Sequence, residues 1–200
     1  MNTSKPANGQ PEPAHLALAA VAAVLEHARQ GLLPPFAATL GLNYRAYADM
    51  LSQYPALLRA YTAIPEHDCA AIASTGPELF REMVQLLLDN CIAGGMQTEW
   101  LARAIAAAGF GSRHLWQDLG MSGRSDVSAL LRLFFPALYA GNVHNYKWKK
   151  FLFAELGRRH GMSGLRPPKC NGCDQFPVCF PEENEGEVSG PAAGQYLRQL

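Results

Sequence analysis

Residues 74–90, STGPELFREMVQLLLDN, carry the pattern that decides the fold. Leu79, Phe80, Met83, Leu86 and Leu87 recur at the spacing that gathers them on one face of an α-helix. Thr75 and Glu78 stand three apart with Pro77 in the first turn, which predicts a capping box ahead of that face. Gly94-Gly95 marks the expected end.

The same grammar repeats on either side. Pro13 opens an apolar run that continues to Leu33 and stops at Pro34-Pro35. Thr98 opens a helix through Trp100, Leu101, Ile105 and Ala108, closed by Gly109. Ser112 is placed to cap another carrying Leu115, Trp116 and Leu119, and the last long helix is expected from about Asn142 to His160. No stretch alternates with period two, so the chain is predicted to be all-α. A faint echo links LGLNYRAYADMLSQYPAL (40–57) with LGMSGRSDVSALLRLFFPAL (119–138). Each reads as a glycine stop, a short cap at Asn43 or at Ser122/Ser125, an apolar helix and a proline break: two similar helical corners on one core.

Four segments follow from composition. Residues 1–13 are polar and proline-rich and are expected to be disordered; 14–162 form a helical domain; 163–181 an irregular cysteine loop; 182–200 an acidic flexible tail. The 200 residues carry a formal net charge of zero, which argues against nucleic acid or an anionic membrane surface as a partner. The apolar run Leu16–Leu25 is too short to span a bilayer and continues into EHARQ as an amphipathic helix would. A soluble cytoplasmic protein is the expectation. Five cysteines, three of them clustered, suit a reducing compartment better than a disulfide framework.

The chemistry lies in KCNGCDQFPVCFPEE (169–183). Cys170 and Cys173 are separated by two residues, Cys173 and Cys179 by five, on a loop rich in glycine, proline and polar residues. Thiolates there can grip an iron–sulfur cluster, a zinc ion completed by a fourth donor, or act as redox thiols without metal. Spacing favours them in that order. Cys69 and Cys91 fall on helical stretches and read as small buried hydrophobes. Lys147, Lys149, Lys150, Arg158 and Arg159 precede the loop; they complement a helix terminus and would also stabilise bound thiolates or steer an oxyanion toward them. Trp148 is expected to pack inward. No catalytic triad, P-loop, dinucleotide fingerprint or HExxH motif is present, which favours a carrier over a turnover enzyme.

With these elements in view, the chain resembles the NifQ family of nitrogen-fixation proteins. The resemblance rests on MQTEWLARAIA (96–106), HLWQDLGMSGRSDVSALLRLFFPALYAGN (114–142), YKWKKFLFAEL (146–156) and the cysteine loop, and covers residues 96–181 best. It implies a cytoplasmic iron–sulfur protein carrying a molybdenum–iron–sulfur cluster, with molybdate and nitrogenase cofactor-assembly proteins as partners. The implied role is molybdenum supply for the iron–molybdenum cofactor. Cys170, Cys173 and Cys179 are the implied ligands. The family loop has a further cysteine that falls on Leu165 here, and leucine cannot ligate a metal. Three thiolates with an open corner are therefore expected, with Cys91, His160 or Asp174 as possible additions.

Overall fold

The computed structural model describes residues 13–53, 63–92, 94–172 and 175–181. Cys173, Asp174, Pro55, the acidic tail 182–200 and all of the N-terminal segment 1–13 except Pro13, which opens the first helix, lie outside them. Among the described residues every regular element is helical, as the periodicity predicts.

Pro13–Arg29 (α1), Met96–Gly109 (α5) and Glu78–Leu88 (α4) form the centre, with α5 packed between the other two. From Trp100 to Gly109 every residue of α5 except Arg103 is buried. Five of these are alanines, whose small side chains let neighbouring helices approach the α5 backbone closely. Tyr44–Gln53 (α2) and Glu66–Ser74 (α3) close the N-terminal side. Leu115–Asp118 (α6), Arg124–Phe134 (α7) and Pro136–Gly141 (α8) lead to Trp148–Arg159 (α9), which packs on α4. Phe176–Cys179 (α10) is the last short helix.

A file of phenylalanines crosses the core. Phe36 and Phe80 lie 4.7 Å apart between ring centroids, Phe80 and Phe110 6.4 Å, and Phe110 and Phe153 5.3 Å. The tilted and edge-on rings suit the aromatic quadrupole. Their consequence for function is positional: Phe110 fixes the start of the connector between α5 and α6, and Phe153 fixes α9 beside it.

The two Leu-Gly corners match as the echo implies. Gly41 and Gly120 adopt φ of 63° and 64°, and a Cβ there would meet Phe80 and Ala23 at 2.4 and 2.5 Å. Only glycine meets both demands. Asn43 caps α2 by accepting the Ala46 N–H at 2.9 Å. The second corner is capped differently: Gly123 precedes α7, and Ser122 N–H donates to Asp126.

Several boundaries depart from expectation: α1 ends at Arg29 and α4 at Leu88, both short of the expected stops, and α5 starts at Met96, two residues ahead of Thr98. Pro77 is held extended, so α4 starts at Glu78, and Thr75 instead ends α3 with its hydroxyl on the Ile72 carbonyl. His114, not Ser112, precedes α6, with the Gln117 side chain accepting its N–H at 3.0 Å. Residues 142–147 form a turn rather than the first turns of α9. Asn142 brackets the Tyr146 backbone through both side-chain atoms, Asn145 is left-handed at φ 52°, and Arg124 donates to both backbone carbonyls. These local polar bonds compete successfully with helix propagation.

Candidate metal centre

Gly157 explains how the cysteine loop reaches its place. After α9 the chain reverses through Gly161 at φ 67°, and the Met162 N–H donates back to the Gly157 carbonyl at 2.8 Å. A Cβ on Gly157 would stand 2.4 Å from the Met162 carbonyl oxygen and 3.0 Å from Leu165 Cβ. The bare backbone therefore lets the returning chain lie directly on the helix. Leu165, Arg166 and Pro167 are buried there.

Further along, cations strap the loop down. Arg166 sits over Phe176 and Phe180 at 5.7 and 4.9 Å, and Lys150 lies between Tyr146 and Phe180 at 4.3 and 4.6 Å. The Lys150 ammonium also donates to the Cys179 carbonyl. Desolvated cation–aromatic contacts of this kind are worth about 2 kcal/mol.

Cys170 opens a 3₁₀ turn, Cys170–Gly172, and Cys179 ends α10. Both line one cavity of about 120 Å³. A single water needs only about 10–15 Å³ of such space, so a polyatomic group fits. Six cationic side chains share the lining: Arg113, Arg124, Lys147, Lys149, Lys150 and Lys169. Among the described residues no carboxylate does. A wall of this charge attracts anions. Among the described residues no three His, Cys, Asp or Glu side chains converge as a metal-ligating group. Cys173, between the two cavity thiols in sequence, is not among those residues.

Beneath the cavity lies a buried ionic network. Asp118 is fully buried and accepts from Arg113 Nε at 2.9 Å and from Lys149 Nζ at 2.7 Å. Lys149 also donates to the carbonyls of Gly111 and Arg113 at 3.1 and 2.5 Å. Burial pushes the Lys149 ammonium below the ordinary lysine range, and the Asp118 carboxylate opposes that. His27 Nδ1, half-buried on α1, lies 2.9 Å from the Asp118 carbonyl oxygen and ties α1 to the end of α6.

Of the other sequence candidates, Cys69, Cys91, His160 and Leu165 do not line the thiol cavity, whereas Trp148 does. Cys69 is fully buried with its thiol pushed up by desolvation, and Cys91 packs partly buried against the core. His160 Nε2 lies 3.1 Å from Glu82. Leu165 faces the separate space flanked by Met162, Arg166 and Phe180. Trp148 packs inward as expected, its indole N–H donating to Ser128. Arg113 and Asp118 escape sequence reasoning; the available signal is an aspartate inside the apolar segment HLWQDLG.

A family model described as NifQ matches residues 17–181. The chain belongs to the NifQ family. Membership implies a role in nitrogen fixation. The match extends the likeness from the C-terminal half to nearly all of the helical region. The chain is 34% identical to Protein NifQ of Azotobacter vinelandii over 152 residues, 72% of this chain and 78% of that protein. It is 30% identical to Protein NifQ of Rhodobacter capsulatus over 148 residues, 74% and 79% of the two chains. Protein NifQ of Klebsiella pneumoniae is 29% identical over 160 residues, 78% of this chain and 93% of that one. No solved structure matches the chain significantly. Among the described residues no helix is long and apolar enough to cross a membrane.

Proposed function

We propose that this NifQ-family chain is a cytoplasmic carrier that holds an iron–sulfur cluster at Cys170, Cys173 and Cys179 and hands on molybdenum for the nitrogenase iron–molybdenum cofactor. The observation that carries this is the convergence of Cys170 and Cys179 on a cavity whose described wall holds six cations and no carboxylate. The donor set fits the group: thiolates are the ligands of iron–sulfur clusters, and their negative charge is offset on all sides. When bound, the cluster would supply sulfide ligands and an open corner for molybdenum. The chain's own residues do the rest. Lys150 and Arg166 fix the loop, and the surrounding cations offset the charge of a thiolate-bound group and attract molybdate. Cofactor-assembly proteins would take the metal from it.

Anaerobic reconstitution with iron, sulfide and molybdate, followed by elemental analysis, tests the proposal. Wild-type chain should retain all three elements, and Cys170→Ser and Cys179→Ser should lose most of the iron. Wild-type protein without iron, or with stoichiometric zinc in its place, sinks it.

Leu165→Cys gives a second expected result. Residue 165 is 5% exposed and packed against α9, away from the thiol cavity. Its replacement should leave iron per chain unchanged while costing about 1–2 kcal/mol from lost apolar burial. Iron analysis and urea unfolding on the same preparation check both halves. A rise in iron content would show that the fourth thiol reaches the metal after all.

A further inference from the structure

Arg113 holds an unspent donor. Its Nε–H is taken by Asp118 at 2.9 Å, but its Nη2 is buried without a hydrogen-bond partner. No other buried side-chain nitrogen or oxygen among the described residues is left so. An unmade bond to a buried charged donor is costly, so the position calls for an acceptor that the described chain does not itself supply. Arg113 lines the thiol cavity.

In this arrangement its neighbours do not supply the missing acceptor. Asp118 is fully buried and already divides its two oxygens between Arg113 and Lys149. All three protons of the Lys149 ammonium have acceptors: the Asp118 carboxylate and the carbonyls of Gly111 and Arg113. Lys149 thus braces the connector that carries Arg113, whose side chain is 31% exposed at the cavity wall. One carboxylate against two cations gives the network a net positive charge. Lys147 and Lys169 add to it along the cavity wall.

We infer that Arg113, aimed by Asp118, is the docking residue for a tetrahedral oxyanion dianion in this cavity, and that this docking does not require the cysteines. Planar guanidinium donors match paired oxygens of a tetrahedral anion, which an ammonium cannot reproduce. The inference deepens the proposed function, since molybdate, the form in which the metal would arrive, belongs to this class. It rests on the same cavity but not on the cluster. Asp118 is a positioning residue: it fixes Nε and so the direction of the remaining donors.

Calorimetric titration with molybdate, in competition with sulfate and phosphate, tests it on the full chain and on C170S/C173S/C179S. Both proteins should bind one molybdate per chain, more weakly at higher salt. Arg113→Gln should weaken binding about tenfold or more in each. Arg113→Lys, which keeps a cation for Asp118 if the glutamine variant fails to fold, should fall between. Unchanged affinity in either arginine variant overturns the inference, as does absence of binding to the wild type or to the triple-serine chain. Iron retention separates the two claims. Molybdate bound through Arg113 by a chain that holds no iron would sink the cluster and spare the docking site. Iron retained with Arg113→Gln neutral for molybdate would do the reverse.

Discussion

Asp118→Ala is expected to destabilise the chain by about 3–5 kcal/mol, the largest effect of any single change near the thiol cavity. The carboxylate is fully buried and is the counter-charge to both Arg113 and Lys149, the latter with a side chain only 12% exposed. Forming such a network gains little over apolar packing, but removing its anion leaves two cations facing each other in a water-poor site. Asp118→Asn should recover little, because an amide offers one acceptor where two are used and turns an N–H donor toward a cation. Urea unfolding reads the cost, and a loss below about 1 kcal/mol would mean that the ions are solvated in the native state.

The pH dependence has a definite sign. Burial lowers the folded-state pKa of Lys149, and the Asp118 carboxylate holds it up. Without that carboxylate the folded pKa falls further below the unfolded one. The full penalty is then present below the folded pKa and relaxes as rising pH lets Lys149 deprotonate. The gap between wild type and Asp118→Ala should therefore narrow toward alkaline pH.

This network also marks where the sequence stops being legible. The amphipathic helices could be read because each is decided by residues three and four apart, as Leu79, Phe80, Met83 and Leu87 show. The thiol loop was legible because two of its cysteines, Cys170 and Cys173, are nearly adjacent. Asp118 and Lys149 are 31 positions apart, and their pairing depends on α5 delivering Phe110 against Phe153. No local pattern distinguishes Lys149, spent on three buried acceptors, from its neighbour Lys150, which straps Cys179. Helix boundaries failed for a related reason. At Asn142 a side chain closes a turn around Tyr146 with the help of Arg124, which is distant in sequence.

Gly157→Ala is expected to cost about 3 kcal/mol and to lower iron retention in reconstituted protein. The sign is diagnostic. In a solvent-facing helix the same change stabilises by about 1 kcal/mol through backbone propensity. Here the new methyl would stand 2.4 Å from the Met162 carbonyl oxygen and 3.0 Å from Leu165 Cβ. The first of these is backbone and cannot rotate aside, so the chain after α9 must lift. That chain holds Leu165, Arg166 and Pro167 against the helix immediately before Cys170. Lifting it shifts Arg166 from Phe176 and Phe180, the aromatic pair that brackets Cys179. The two cavity thiols are then no longer held in a fixed relation, and loading should suffer beyond what lost stability alone produces. Thermal unfolding and iron per chain, measured at a temperature where both proteins remain folded, separate these effects. A Gly157→Ala protein as stable as the wild type would show that the loop does not lie on α9.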